Sequence, residues 1–260
     1  MRRQLTELED SEIGDIIKYS CSAHLLNLFA KDIEQVDIKN IIIVSDIQDG
    51  ELKENVENYL RKLKKISIAL DYVQKEMCVL SDCTHIWKGL LSSNWLLEEA
   101  NKLKVRYNAA MTPAHFAAHI LDPKYRGEGL DEEEDTMGME FIDLSYLQAM
   151  KDVLTYRAMS FPFKDYMFKE DLLKRTHVSV WWRSLGSKID PGMIDLTNQL
   201  YTATASSAGI ERLFSTFGLV HSKLRNRLRT EKAAKLVTVM RVLNPGSRGS
   251  SYVDEDEVEE

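Results

Sequence analysis

The chain has little cysteine and no long apolar run, and both shortages limit the kind of protein it can be. Its 260 residues include only three cysteines, Cys21, Cys78 and Cys83. So few cysteines, odd in number, do not suit a disulfide framework and favour a reducing compartment. No run reaches the length of a transmembrane helix, and the first residues are too polar for a signal peptide. We therefore expect an intracellular protein with no membrane partner.

Complete metal-binding motifs are missing as well. Cys21 and His24 lie three residues apart, but no second pair at zinc-finger spacing accompanies them. His115 and His119 have the four-residue spacing used by zinc proteases, yet no glutamate follows His115, so the H-E-x-x-H motif and its general base are absent. We expect these side chains to have structural roles, and we predict no metal site and no cofactor.

Charge is distributed unevenly along the chain. The net charge is −7, whereas residues 206–243 carry a surplus of six positive charges, which leaves −13 for the remainder. Two acidic runs hold much of that excess: Asp131–Asp135, expected to be an exposed loop, and Asp254–Glu260, expected to belong to a disordered tail. Alternating basic residues can neutralise phosphates without reading bases, although a solvated basic linker has the same composition. These basic residues are Lys223, Arg225, Arg227 and Arg229.

Two amphipathic helices are predicted in the same basic region. The first has apolar residues at the i, i+3, i+4, i+7 spacing of one helix face, with Ser207, Glu211 and Ser215 in a polar row opposite, and it ends near Gly218. The second begins at Thr230 and is stopped by Asn244-Pro245. The apolar positions are Ile210, Leu213, Phe214 and Phe217 in the first helix, and Leu236, Met240 and Leu243 among others in the second.

The remaining chain is predicted to be mostly helical. Residues 51–104 carry apolar stripes at helical spacing, one of which runs from Val56 through Leu60 to Leu70. A further stripe joins Leu144, Leu147, Met150 and Leu154. The β-branched run 41–44 favours a short strand, and the Trp181–Trp182 pair is expected to anchor a core. The basic run Arg61–Lys65 fits either a nuclear import signal or a solvated helix face.

Several of these segments resemble the hAT family of DNA transposases. The string SSAGIERLFSTFG, followed by Arg225, Arg227, Leu228 and the final Asn244, resembles that family's C-terminal dimerisation region. The segments CSAHLLNL, AAHILDPKYRG and VSVWWRSLG resemble further elements of the family. One departure is the Thr204-Ala205 pair, which stands where the family usually has a proline before Ser-Ser.

The resemblance implies a fold and a division of the chain. It implies a mainly α protein, with an incomplete RNase H-like domain, a large helical insertion and a C-terminal helical dimerisation region. On this basis residues 1–50 are a remnant of the RNase H-like core, 51–200 the insertion region, 201–244 the dimerisation region and 245–260 a disordered acidic tail. The implied partner is a second copy or a related hAT-derived protein, and the implied location is the nucleus, with the cytoplasm otherwise expected.

Catalysis is not expected from these residues. hAT transposases hold two divalent metals with two aspartates and one glutamate, and the resemblance makes Glu211 that glutamate. Asp10 and Asp15 lie in a polar segment and not after a predicted strand, and Asp46 closes an apolar run in the manner of a turn residue. We therefore expect a truncated or domesticated, non-catalytic protein that dimerises. The alternatives are a nucleic-acid binding module and, least favoured, an active transposase.

Overall fold

The computed structural model describes residues 20–34, 50–75 and 77–211, together with Lys235 and Val239. The described residues are mainly helical, which confirms the predicted fold class at that level. The helices in chain order are α1 (Ser22–Glu34), α2 (Gly50–Val73), α3 (Leu80–Leu91), α4 (Leu97–Ala110), α5 (Pro113–Leu121), α6 (Glu132–Ser145), α7 (Met150–Arg157), α8 (Glu170–Arg175), α9 (Val178–Arg183) and α10 (Pro191–Thr202). Short 3₁₀ turns at Leu147–Ala149, Asp165–Phe168 and Gly186–Lys188 link the later helices.

Helix α5 lies at the centre of the molecule. Every residue from Ala114 to Leu121 is buried, including both histidines. A short helix that is apolar on all sides can be stable only inside a core. Pro113 at its first turn starts the helix without losing a hydrogen bond, and Asp122-Pro123 ends it.

Two apolar clusters flank the α3–α5 pair. The first contains residues of α1, α2, α3 and α4, among them Phe29, Val73 and Trp87. The second contains most of α5 and residues of α6, α7, α9 and α10, among them Tyr156 and Trp182. Helix α3 contributes to both, because Leu80 belongs to the second cluster and the side chains one and two turns later belong to the first. The described helices therefore form one continuous interior.

Ion pairs join the outer helices of the first cluster. The Arg106 guanidinium on α4 donates two hydrogen bonds to the Asp32 carboxylate on α1, at 2.8 and 3.1 Å. Lys62 on α2 contacts both carboxylate oxygens of Glu99 on α4, at 2.9 and 2.8 Å. Because three helices share these pairs, the contacts fix the orientation of α1 and α2 against α4.

The buried face of α2 differs from the predicted stripe. Ile66, which the stripe includes, is buried together with Ala69 and Val73, whereas Leu60, which the stripe also includes, is 57% exposed. The stripe was drawn through large side chains only. The packed face instead includes the small Ala69 and the paired Lys62, which places Leu60 on the opposite side.

Two expectations for the middle of the chain were wrong. The acidic run Asp131–Asp135 forms the cap and first turn of α6 and is not a loop. In the stripe of Leu144, Leu147, Met150 and Leu154, the three leucines are 88%, 74% and 57% exposed, and only Met150 packs partly against the second cluster. The backbone turns at Tyr146 (φ −152°, ψ 89°), so residues before and after it do not share one helix face. Ile142, Val153 and Tyr156 are buried instead.

Other predictions fall outside the described residues. They include the strand at 41–44, the second C-terminal helix and the acidic tail, and the domain boundaries stay predictions. Within the described ranges, no helix is long and apolar enough to span a membrane.

Candidate dimerisation region

The start of the predicted dimerisation segment is held by backbone hydrogen bonds. The Ala205 N–H donates to the Cys78 carbonyl at 3.1 Å, and the Ala205 carbonyl accepts from the Ser22 N–H at 3.3 Å. An isolated antiparallel bridge between Val79 and Thr204 lies beside them. Ser22 is the first residue of α1, whose early N–H groups have no partner inside the helix. Ala205 therefore satisfies one of these groups, and it is itself fully buried.

The Ser-Ser pair of the motif begins the next helix. The Ser206 hydroxyl accepts a hydrogen bond from the Ala208 N–H at 3.3 Å, and residues 208–211 are helical. The Glu211 N–H donates to the Ser207 carbonyl at 2.9 Å, which closes the first turn. The Ser207 hydroxyl also donates to Glu211 Oε1 at 2.6 Å, which confirms the first two members of the predicted polar row, while Ser215 lies outside the described residues.

Ile210 on this first turn faces solvent and is 55% exposed. It is the one residue of the predicted apolar dimerisation face that the structure describes. The remaining residues of that face lie outside the described residues: Leu213, Phe214, Phe217, Leu236, Met240 and Leu243. The same holds for the predicted nucleic-acid contacts Lys223, Arg225, Arg227 and Arg229.

The residues before the Ser-Ser pair pack into the second cluster through aromatic side chains. The Trp182 indole donates to the Leu121 carbonyl at 2.9 Å, and the Tyr201 hydroxyl donates to the Ala118 carbonyl at 2.6 Å. Both carbonyls belong to the last turn of α5, and the Ala118 carbonyl also accepts a hydrogen bond from the Asp122 N–H that caps this helix. Trp181 is also buried and donates to the Met167 carbonyl at 2.9 Å. The prediction that the tryptophan pair anchors a core is thus confirmed.

Around α5, a buried polar network was missed at the sequence level. Asp122 Oδ2 accepts from the Ser81 hydroxyl at 2.7 Å, and Lys124 Nζ lies 2.7 Å from Asp82 Oδ1 and 3.6 Å from Asp122 Oδ2. The Tyr125 hydroxyl donates to the same Asp82 oxygen at 2.8 Å. Burial raises the pKa of Asp122, against the lowering effect of Lys124. Burial alone would lower the pKa of Lys124, but the two carboxylates raise it by more.

The two α5 histidines are structural, as predicted. His115 and His119 are fully buried, and His119 stacks on the Tyr125 ring with centroids 4.8 Å apart. Burial lowers the pKa of His115 to about 4, and burial together with the positive charge of neighbouring groups lowers that of His119 to about 3. Both rings are therefore neutral near pH 7. The structural role expected for His24 was packing inside a buried helix, and this is wrong, because His24 lies on the exposed side of α1.

A further polar cluster joins α3, α4 and α6. Glu134 caps α6 reciprocally with Asp131, each accepting a hydrogen bond from the other's N–H at 2.9 Å. The same Glu134 carboxylate contacts Lys88 Nζ at 2.6 Å and accepts from the Tyr107 hydroxyl. A cavity of about 500 Å³ adjoins this cluster between α3, α4 and α6. The sequence does contain a signal for this helix start, the D-x-x-E spacing of a capping box. It was overlooked because the surrounding acidic residues favoured a loop.

No group of three or more His, Cys, Asp or Glu side chains in the described part of the chain is placed to hold a metal ion. Glu211 is exposed there and contacts Ser207. The aspartates considered as partners for it, Asp10, Asp15 and Asp46, all lie outside the described residues.

The described residues thus form a helical protein whose C-terminal segment packs on a central helix before beginning a new one. Residues 163–243 match the family model of the hAT family C-terminal dimerisation region. The match confirms the similarity of this C-terminal part to the hAT dimerisation region, as the SSAGIERLFSTFG string predicted. Neither a curated protein nor a solved structure matches the chain.

Proposed function

We propose that the chain associates with a second copy of itself through the helix that begins at residue 208 and the helix predicted from Thr230. The observation that carries this proposal is the match of residues 163–243 to a dimerisation region. A second observation supports it. The residues up to Ala205 are anchored in the interior, whereas Ile210, five residues later, has its side chain in solvent. An apolar face that starts at the surface is suited to contact another chain.

Mass in solution tests this proposal, measured by light scattering behind a sizing column. Wild type should have twice the 29.9 kDa mass of one chain, and Ile210→Asp should shift it towards the monomer. Leu213→Asp/Phe217→Asp should do the same through residues further along the face. A charge in a desolvated interface has no partner there, so the loss of affinity should be large.

Val180→Asp is the matched control. Val180 also lies within residues 163–243, the region that matches the family model, and its 48% exposure is close to that of Ile210. It lies on α9, away from the predicted dimerisation face. It should leave the dimer intact. A monomeric wild type, or dimers lost equally in both variants, would overturn the proposal. Circular dichroism on each variant separates loss of association from loss of folding.

We also propose that the chain is non-catalytic and that Glu211 serves to order the helix start. Its hydrogen bond with Ser207 supports this role. Glu211→Gln retains a carbonyl acceptor and should leave the dimer mass unchanged. DNA strand cleavage by wild type in Mg²⁺ or Mn²⁺, lost in Glu211→Gln, would contradict the proposal.

The resemblance extends the proposal to fold and location. Residues 1–50 would correspond to a remnant of the RNase H-like core and 51–200 to the helical insertion. A nuclear location is proposed on the same basis. Fluorescence microscopy of the tagged full chain tests the location, and a uniformly cytoplasmic signal would contradict it.

Nucleic-acid binding through Lys223, Arg225, Arg227 and Arg229 is the second candidate. The surplus of positive charge in residues 206–243 favours it. Phosphate contacts release counterions, so binding to duplex DNA should weaken steeply between 50 and 200 mM salt. Arg225→Glu/Arg227→Glu should remove the binding, while the reversal of two exposed lysines elsewhere, Lys164→Glu/Lys169→Glu, should not. Equal binding by the two variants would contradict this candidate.

A further inference from the structure

The solvent side of α2 carries a stripe that combines basic and apolar residues. Leu60, Ile68 and Tyr72 are 57%, 47% and 38% exposed, which is high for large apolar side chains in one helix. At 100° per residue they fall within one sector of the helix, opposite the buried Ile66, Ala69 and Val73. Exposed basic side chains lie in the same sector. We call this set the α2 outer face: Leu60, Arg61, Lys64, Lys65, Ile68 and Tyr72.

The charge of the α2 outer face is positive and only partly compensated. Within the described residues, Lys64 and Lys65 form no hydrogen bond or ion pair with any carboxylate. Their neighbour Lys62 differs, because it points inward and is paired with Glu99. Arg61 donates to the Glu57 backbone carbonyl, which leaves its charge without a counterion. Asp71 lies on this side of the helix between the ends of the face, and the exposed Glu54 and Glu57 lie on the same side one to two turns before Arg61.

The same chain contains a segment of complementary chemistry. Asp254–Glu260, DEDEVEE, has six acidic side chains in seven residues, with Tyr252 and Val253 directly before it and Val258 within it. Acidic groups alternating with a few apolar ones match a surface of lysines interrupted by Leu60, Ile68 and Tyr72. Opposite charges of this density attract over about 8–10 Å at physiological salt.

Lengths are compatible with docking. From Leu60 to Tyr72 the α2 outer face is about 18 Å long at 1.5 Å per residue. Seven extended residues span about 23 Å. Residues 212–253 separate the segment from Glu211, and their last part, 245–253, follows the predicted helices and alone spans up to about 30 Å when extended, against a radius of gyration of about 18 Å for a compact chain of 260 residues. The acidic segment can therefore reach α2 of its own chain.

We propose that the acidic segment Asp254–Glu260 docks on the α2 outer face of its own chain and shields its basic side chains. The segment neutralises Arg61, Lys64 and Lys65, while Val258 or the Tyr252-Val253 pair covers the apolar positions between them. Docking of this kind is held mainly by charge, so it weakens as salt is added. It also makes the α2 outer face unavailable to other polyanions until the segment is displaced.

Binding of the segment in trans tests the proposal. The probe is a fluorescein-labelled peptide of residues 251–260, and the readout is fluorescence anisotropy with the full chain at 50 mM salt. In one variant the chain's own segment is neutralised by Asp254→Asn, Glu255→Gln, Asp256→Asn and Glu257→Gln. This variant should bind the peptide at least about tenfold more tightly than wild type, because no tethered competitor occupies the face.

Charge reversal on α2 then locates the site. Lys64→Glu/Lys65→Glu, added to the neutralised variant, should weaken peptide binding about tenfold or more. The matched control reverses two exposed lysines of the family region, Lys164→Glu/Lys169→Glu, and should bind as the neutralised variant does. Lys64→Gln/Lys65→Gln is a milder second variant, and circular dichroism verifies that each one folds.

Three results would overturn the proposal. The first is equal peptide binding by wild type and by the neutralised variant, which would mean that the tethered segment does not occupy the face. The second is an equal loss of binding in the α2 and control variants, which would mean attraction to positive charge anywhere on the molecule. The third is no peptide binding by any variant. None of these results depends on the mass of the dimer. A negative result would therefore contradict the docking of the acidic segment and would not bear on the proposed self-association.

Discussion

Tyr201 donates a hydrogen bond to the carbonyl oxygen of Ala118 at 2.6 Å, although 83 positions separate the two residues in the chain. Tyr201 lies in the family region and Ala118 lies in the central helix, outside it. Both residues are buried. The dimerisation region is therefore attached to the rest of the molecule by interior contacts as well as by the chain itself.

Removing the Tyr201 hydroxyl tests the strength of this attachment. Tyr201→Phe retains the ring and loses the hydrogen bond, and we expect a decrease of about 0.5–1.5 kcal/mol in the free energy of unfolding. The loss should stay within this range because the Ala118 carbonyl also accepts from the Asp122 N–H at 3.0 Å. Urea unfolding followed by circular dichroism provides the measurement.

Tyr166→Phe is the control for that substitution. Tyr166 lies in the same family region but is 58% exposed, so its hydroxyl is solvated in the folded and unfolded states. It should change the free energy of unfolding by less than about 0.5 kcal/mol. Equal effects of the two substitutions would mean that the Ala118 contact adds nothing to stability.

The close crossing of α5 and α6 gives a second prediction. A Cβ on Gly138 would lie 2.6 Å from Ile120 Cδ1 and 3.0 Å from both the Ala117 nitrogen and the Phe116 carbonyl carbon. The last two atoms belong to the backbone and cannot move away by side-chain rotation. Gly138→Ala should therefore destabilise the fold by about 1–3 kcal/mol.

Gly89→Ala is the matched substitution in α3, where a Cβ meets nothing within 4 Å. Here the higher helix propensity of alanine should stabilise the fold by about 0.5–1 kcal/mol. Thermal unfolding of both variants should thus show midpoints moving in opposite directions from wild type. A shift in the same direction would show that the α5–α6 contact is not as tight as described.

The buried histidines predict loss of stability in mild acid. His115 and His119 have pKa values of about 4 and 3 in the folded chain, below the ordinary value near 6.5. The unfolded chain therefore binds more protons between these values, so stability is full above about pH 6.5 and falls as the pH drops. Each histidine should remove about 2 kcal/mol between pH 7 and 5. The raised pKa of Asp122 acts oppositely, favouring its protonated form in the folded chain.

Urea unfolding at several pH values measures this effect. His119→Leu should roughly halve the decrease in unfolding free energy between pH 7 and 5, whatever it does to stability at pH 7. His24→Gln removes an exposed histidine and should leave the decrease unchanged. The same pH dependence in His119→Leu as in wild type would show that this ring is not held neutral by burial.

Thiol reactivity should distinguish the three cysteines. Burial raises the pKa of Cys83 to about 12, and it raises that of Cys78 well above its ordinary value, so neither forms the reactive thiolate at pH 8. Cys21 is only half-buried. With a chromogenic disulfide reagent, we expect one thiol to react in the native protein and three in denaturant. Cys21→Ser should remove the native reaction, and a fast phase that persisted would contradict the burial of the other two.

The sequence predicted the helices and the core anchors better than it predicted which faces are buried. Trp181 and Trp182 could be assigned to a core because burial is the commoner use of such side chains, and the α5 histidines to a structural role because the H-E-x-x-H motif is incomplete. Leu144, Leu147 and Leu154 were assigned wrongly, because periodicity holds only while the helix continues, and the backbone turns at Tyr146. A break in the helix at a single residue such as Tyr146 cannot be predicted from the pattern of apolar residues around it.

Long-range polar contacts were beyond sequence reasoning for a different reason. Asp82, Asp122 and Lys124 come from two segments, and their pairing depends on how α3 and α5 cross. The local Ser207–Glu211 contact, in contrast, follows from the four-residue spacing of a helix and was predicted as a polar row. At the candidate site, the contacts that the sequence could predict are therefore those between residues within one helical turn of each other.

The Trp182 and Tyr201 hydrogen bonds also bear on where this chain could be cut. The family match begins at Phe163, yet the acceptors of both bonds, Leu121 and Ala118, precede it. A fragment starting at Phe163 would leave both aromatic side chains without their carbonyl partners and expose the surface they cover. The unit that is recognisable by similarity is therefore smaller than the packed unit to which it belongs. Moving residues 163–243 into another protein would require carrying α5 along with them.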